Sequence, residues 1–323
     1  LVHGQGNFGS MDGDSPAADR YCVTGDSLII TENGLEEIDK LSKDETIKLK
    51  ILSKDKRVND ASKWFDSGDH ESIKITTNKG YSLSGSRNHP LLTLSKDVLG
   101  KPIFMWKRFE DIEEGNIAVI DRREDSFWPV SEQDLIAYWP SKRDNHQHIK
   151  ILPVKFNSNL AFLFGALISE GSISQNKIEF CNTDEKFIEE FEKRWKATFP
   201  DSKLYKFKRH PSSYGKKEYY RLECHSRYTL EFLRNIGLSP VRSNKKTIPN
   251  LLLMSPKNVV SQFLKSYFEG DGSIFSAGRK IELYCCSVSQ NLLFQIQTIL
   301  LRFGIEIKIR FDNGRKLYKL IIN

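Results

Sequence analysis

Glu170 and Asp271 stand at matching places in two similar stretches, Leu163-Phe-Gly-Ala-Leu-Ile-Ser-Glu170-Gly171 and Leu264-Lys-Ser-Tyr-Phe-Glu-Gly-Asp271-Gly272, each continued by Ser-Ile. Two carboxylates brought to one place repel unless a proton or a cation intervenes. A hard divalent ion held by both, with waters completing its shell, resolves the repulsion. Such an ion can activate a water and stabilise the leaving oxygen in phosphodiester hydrolysis. Mg²⁺ is therefore the expected cofactor, with Glu170 and Asp271 as its ligands. A duplex has two strands of opposite polarity, so a duplicated carboxylate suits a double-strand cut.

A second set of residues suits acyl transfer. Cys22 opens the run Cys22-Val-Thr-Gly-Asp26-Ser-Leu, and Gly80-Tyr-Ser-Leu-Ser-Gly-Ser86-Arg-Asn-His89-Pro90 follows downstream. The Cys22 thiol could attack the preceding carbonyl, that of Tyr21, converting an amide to a thioester. That step is uphill and needs a polarised peptide and a proton for its nitrogen, which His89 can supply while Ser86 gives a hydrogen bond. An unperturbed thiol is mostly protonated at neutral pH, with a pKa of about 8.5, so the site must activate it. A lone Cys is more often a small core residue. The joint pattern, with β-rich text between its parts, favours the chemical reading.

These groups need elements to hold them. Asn159 to Glu170 and Val259 to Asp271 read as helices, with small residues four apart, Gly165 with Ser169 and Ser266 with Gly270. That spacing aligns them on one face and lets two helices approach closely. Gly171 and Gly272 are expected to end the helices in a left-handed conformation. Asp184 to Phe199 and Asn291 to Phe303 carry helical apolar stripes. Strand-like runs lie between, at Ser172–Cys181, Tyr219–Cys224, Ile281–Ser287, Ile305–Phe311 and Lys316–Ile322. Helix, hairpin, helix, strands thus occurs twice, an internal repeat of about 100 residues. Upstream, Ser27–Thr31, Ile47–Leu52, Ser72–Thr77 and Tyr81–Leu83 are short β-rich runs parted by turn signals, which predicts an all-β domain.

Charge follows the same division. Residues 156–323 hold 27 Lys+Arg against 16 Asp+Glu, whereas residues 22–155 hold 21 against 23. A basic surplus confined to one half fits a polyanion partner, most simply nucleic acid; a solvated basic surface is the other reading. No apolar run nears the roughly 18 residues of a membrane span. The five cysteines show no CxxC pair and no disulfide spacing, which fits a reducing cytoplasm. The start, Leu1-Val2-His3-Gly4, reads as the middle of a longer protein.

The paired segments resemble the LAGLIDADG (DOD-type) motifs of homing endonucleases. The first copy matches at Leu163, Gly165, Leu167, Ile168 and Gly171, with Glu170 for Asp; the second matches at Leu264, Asp271 and Gly272, with Ser266 for Gly. Lys245-Lys246-Thr247-Ile248-Pro249 resembles that family's basic segment. By that resemblance Lys246 assists the water or the phosphate; contact with the DNA backbone is the other reading. The resemblance further implies a monomer with an internal pseudo-two-fold, and β-ribbons in the major groove. In or beside them lie Lys203, Lys206, Lys208, Arg209, Lys216, Lys217 and Arg221, then Arg279, Lys280, Lys308, Arg310, Arg315, Lys316 and Lys319.

The Cys22 and His89 segments resemble the first two blocks of an intein, with Ser86 where the family has Thr, and imply an all-β HINT horseshoe. Residues 1–21 resemble the breakage-reunion region of bacterial gyrase A or topoisomerase IV, Tyr21 taking the place of its DNA-linking tyrosine. The expected organisation is a host fragment 1–21, a splicing part 22–123, a linker or small insertion 124–155 and an α+β endonuclease 156–323, with repeats 156–240 and 241–323. Asn323 follows Ile rather than His, so an intein's closing His-Asn pair is not expected here, nor the last endonuclease helix. The implied activity is cleavage of double-stranded DNA, at a gyrase A gene lacking the insert. A splicing element whose endonuclease only binds DNA is the second reading.

Overall fold

The computed structural model describes residues 21–42, 44–141, 150–211, 217–278 and 280–322. The expected host fragment before Tyr21 lies outside them, as do Lys216, Arg279 and the side chain of Lys280. The chain forms two compact units. One runs to Phe127 and takes in Gln297–Arg310; the other holds Trp128–Ile296 and the chain from Phe311 onward.

Short antiparallel strands build the first unit. β1 (Leu28–Thr31), β2 (Gly34–Glu37), β3 (Thr46–Leu52) and β4 (Val58–Lys63) form one sheet of order β2-β1-β3-β4. β5 (Ile73–Thr76) pairs with β6 (Ser82–Gly85) across a turn in which Gly80 takes a φ of 86°, a conformation open to glycine. β7 (Pro90–Lys96), β8 (Pro102–Arg108) and β9 (Ile117–Ala118) form a third sheet ordered β8-β7-β9. Arg302 is wholly buried in this unit, its Nε 3.1 Å from Asp125 Oδ2, and Lys56 pairs with the same carboxylate. Removing one member of a buried pair strands the other charge, at a cost of about 3–5 kcal/mol. Asp125→Asn is therefore expected to lower the unit's unfolding midpoint in urea; a midpoint equal to wild type would show the pair to be dispensable.

The second half of the chain repeats one plan. α1 (Ser158–Glu170), β10 (Gly171–Ile173), β11 (Ile178–Asn182), α2 (Glu185–Thr198), β12 (Tyr205–Arg209), β13 (Tyr219–Cys224) and α3 (Arg227–Asn235) form its first copy. After a short α4 (Asn250–Leu253) come α5 (Lys257–Asp271), β14 (Gly272–Ala277), β15 (Lys280–Ser287), α6 (Gln290–Arg302), β16 (Ile307–Asp312) and β17 (Leu317–Ile322). The two sheets share one topology, β10-β11-β13-β12 and β14-β15-β17-β16. Asn157 caps α1, its side chain accepting from the Asn159 and Leu160 amides, and Asp184 caps α2 the same way. The expected α2 stripe is buried at Phe187, Ile188, Phe191 and Trp195, with Phe191 stacked 4.2 Å from Phe180 of β11. Residues flanking α1 also pack in this unit: Leu135 is fully buried, and Gln133 donates to the Met254 carbonyl.

Candidate functional site

α1 and α5 pack face to face, and small residues make this possible. A Cβ on Gly165 would strike Ser266 Oγ and the Phe263 carbonyl, and one on Gly270 would lie 2.7 Å from Ser169 Cβ. Ser266 Oγ instead donates across the seam to the Phe162 carbonyl at 2.7 Å. The terminal glycines differ from expectation. Gly171 (φ −96°) and Gly272 (φ −74°) are extended, not left-handed. Their missing Cβ serves close approach: at Gly171 it would come 2.5 Å from the Leu167 carbonyl, and at Gly272 it would meet Phe268. Each helix can therefore pass straight into the first strand of its sheet.

This packing brings the last residues of α1 and α5 together. Burial, then the charge of Asp271, raises the Glu170 carboxyl above its ordinary range, with Lys246 acting the other way. Burial raises Asp271 to about 6, opposed by the Lys246 charge and by the nearby Tyr267 hydroxyl. Lys246 lies close enough to both acids to feel their charge. Burial lowers its ammonium, the acids oppose that, and Nζ donates to the Ile168 carbonyl at 2.6 Å. The three residues singled out in the sequence thus form one cluster. Tyr267 was not foreseen: fully buried one turn before Asp271, its hydroxyl lies against that carboxylate and the Cys285 thiol. Its place inside an apolar helical stripe gave no sign of this.

The donor set fits a divalent ion. Among the described residues no group of three or more His, Cys, Asp or Glu could hold a metal, so the protein offers two carboxylates. Mg²⁺ commonly takes one or two, with waters and substrate phosphates filling its shell.

Strand pleating sorts the expected DNA contacts. Phe207 pairs with Arg221 and Arg209 with Tyr219, whereas Lys206 pairs with Leu222 and Lys208 with Tyr220. Leu222 is fully buried, so Lys206 and Lys208 lie on the helix-packed face. They are tied there to Glu192 at 2.8 Å and Glu218 at 2.7 Å. They stand on the opposite face from Arg221, because successive side chains point to opposite faces. Arg209 and Arg221 face away from the helices, as does Lys319, which pairs with Cys286 and stands 3.8 Å over the Tyr284 ring. Lys203 lies over Tyr205, and Lys217, Arg310, Arg315 and Lys316 are exposed; Lys308 and Arg310 alternate with buried Ile307 and Ile309.

The second set also converges. The Cys22 amide donates to Ser86 Oγ at 3.1 Å, and the Ser86 amide donates back to the Cys22 carbonyl at 2.9 Å. Ser86 Oγ donates in turn to Asn88 Oδ1 at 2.7 Å, a partner that the sequence motif does not reveal. His89 is 5% exposed, edge-on to Phe109, and its ring reaches the Cys22 backbone. Burial lowers its pKa to about 4. The imidazole is thus neutral at pH 7. Below about pH 6.5 the unfolded chain takes up this proton first, so stability should fall down to about pH 4, by up to about 3 kcal/mol. Urea midpoints at pH 7 and 4.5 would show it, and His89→Phe should flatten the difference.

Residues 157–237 and 258–323 match the model of the LAGLIDADG-like domain. These stretches are thus similar to a LAGLIDADG-like domain, and their fold is of mixed α/β type with antiparallel sheets. Along its whole length it is 34% identical to the DNA gyrase A protein of Mycolicibacterium flavescens, spanning 55% of that protein. Over 94% of its length it is 25% identical to the small subunit of replication factor C from Methanocaldococcus jannaschii, spanning 15% of it. The chain therefore covers about half of the gyrase A relative and much less of the other. Among solved structures it is similar to the I-DmoI complex with DNA and Mn, at 14% identity and a TM-score of 0.38, over 52% of this chain and 91% of that one.

Proposed function

We propose that the chain is an intein-borne homing endonuclease that cuts double-stranded DNA, at the gyrase A gene lacking the insert. The observation that carries this is the meeting of Glu170 and Asp271, with Lys246 near both, at the foot of two packed helices, one from each repeat. Glu170 and Asp271 hold the divalent ion, Mg²⁺ in the cell, which when bound supplies charge to the scissile phosphate and lowers the pKa of a water. The protein fixes both carboxylates on rigid helix ends, and Lys246 adds positive charge beside them. Similarity to stretches of two proteins with unrelated names, a gyrase and a replication factor, supports an insertion element.

The Cys22, Ser86 and His89 cluster supports the splicing half. Ser86 Oγ accepts from the amide nitrogen that must leave, and the neutral His89 ring takes the Cys22 thiol proton and passes it to that nitrogen while Cys22 Sγ bonds to the Tyr21 carbonyl carbon. The product is a thioester with a free amine on Cys22.

The deciding experiment incubates the protein with supercoiled plasmid carrying the uninterrupted gyrase A junction, with and without Mg²⁺. Metal-dependent linear DNA supports the reading. Binding without cutting would favour a module that has kept only DNA affinity.

A further inference from the structure

We propose that Arg221 reads a guanine in the half of the target that the first repeat contacts, held by Glu179 and Glu223, and that among the described residues the second repeat has no equivalent reader. This rests on the proposed DNA recognition and deepens it.

The residues share one sheet face. Glu179 of β11 pairs with Glu223 of β13, and Cys181 pairs with Arg221. Ile178, Phe180 and Leu222, which alternate with them, are buried on the helix side, so the charged set faces outward. Arg221 is clamped without being consumed. Its Nε stands 2.9 Å from Glu223 Oε1, and its Nη1 is 3.7 Å from Glu179 Oε1, too far for a hydrogen bond. Its guanidinium also lies 5.7 Å from the Phe207 ring. Lys177 ties the two acids together, at 2.8 Å to Glu179 and 3.5 Å to Glu223. Cys181, opposite Arg221, is near enough to Glu170 to feel its charge, so the group lies beside the catalytic carboxylate.

A patch built only to attract phosphate would not carry two carboxylates, which cancel the charges of Arg221 and Lys177. A rigid guanidinium fork, in contrast, matches the O6 and N7 acceptors of guanine in the major groove. Two fixed acids and a ring hold that fork in one orientation.

The second repeat differs where Arg221 and its two acids stand. Its register sets Lys319 opposite Cys286, as Arg221 is set opposite Cys181. Tyr284 stands where Glu179 does, and Ile321 where Glu223 does. Lys319 is a point charge over the Tyr284 ring, suited to a phosphate and carrying no planar fork.

The test is binding selection from a randomised duplex pool, using the full chain. Wild type should select guanine at a position in one half-site. Arg221→Lys keeps the charge and should reduce that preference by roughly ten- to a hundredfold, leaving the other positions selected as before. The Glu179→Gln, Glu223→Gln pair keeps Arg221 but frees it, and should blunt the same position. Lys319→Ala should weaken binding to all sequences alike and lower the salt slope by about one. An unchanged base profile for Arg221→Lys overturns the proposal while leaving DNA recognition standing. A wild-type protein that selects no sequence overturns both.

Discussion

Asp271→Asn protein is expected to bind its duplex and leave it uncut. The amide keeps the size and polarity of the side chain but carries no charge for a cation. Losing half of a two-carboxylate site removes several kcal/mol of transition-state stabilisation, or at least about 10³-fold in rate. Glu170→Gln should fall as far, since among the described residues no third acid joins the pair in a metal-holding group. A second signature separates this from misfolding. Asp271 titrates near 6 in the fold against 3.8 for the free group, so at pH 7 its ionised form weakens the folded state. The neutral Asn should therefore raise stability, by about 1–3 kcal/mol. An inactive and less stable protein would point to lost packing instead. Gel shift, plasmid cutting and a urea midpoint on one preparation distinguish the two outcomes.

Cys22→Ala is expected to abolish cleavage at Tyr21–Cys22 by an added thiol such as dithiothreitol. A thioester needs the sulfur, and without it the amide survives mild conditions. His89→Ala should slow the same cleavage by about 10²–10⁴-fold, the usual contribution of one positioned acid–base group. Ser86→Ala should fall between, because it removes only the acceptor facing the Cys22 amide. The fragments are read by mass. Thiol cleavage that persists in Cys22→Ala would show that the β-rich unit holds no acyl-transfer site.

The repeated half is legible in the sequence because its signals are local and doubled. Both acids end helices whose small residues stand four apart, and the structure pairs those helices through Gly165, Ser266, Gly270 and Ser169. The glycines after the acids serve a different cause from the one expected: a close approach to the preceding turn leaves the same residue in sequence as a left-handed cap. The face on which Lys206 and Lys208 stand is hidden in the sequence because charge shows there while pleat register does not; pairing with Leu222 and Tyr220 fixes it. Tyr267 and Asn88 escape for a related reason. One sits in an apolar helix and the other in a turn, and each matters only through a neighbour brought in by tertiary packing. The Glu179 and Glu223 pair, on strands far apart in sequence, becomes visible only once the sheet is assembled.

The most direct measurement follows both strands of an end-labelled duplex that spans the uninterrupted gyrase A junction, in Mg²⁺ and in EDTA. Two acids on a pseudo-two-fold should give one cut in each strand, a few base pairs apart, present in Mg²⁺ and absent in EDTA. Cutting of a single strand, or cutting that survives chelation, would contradict a site built from Glu170 and Asp271 together.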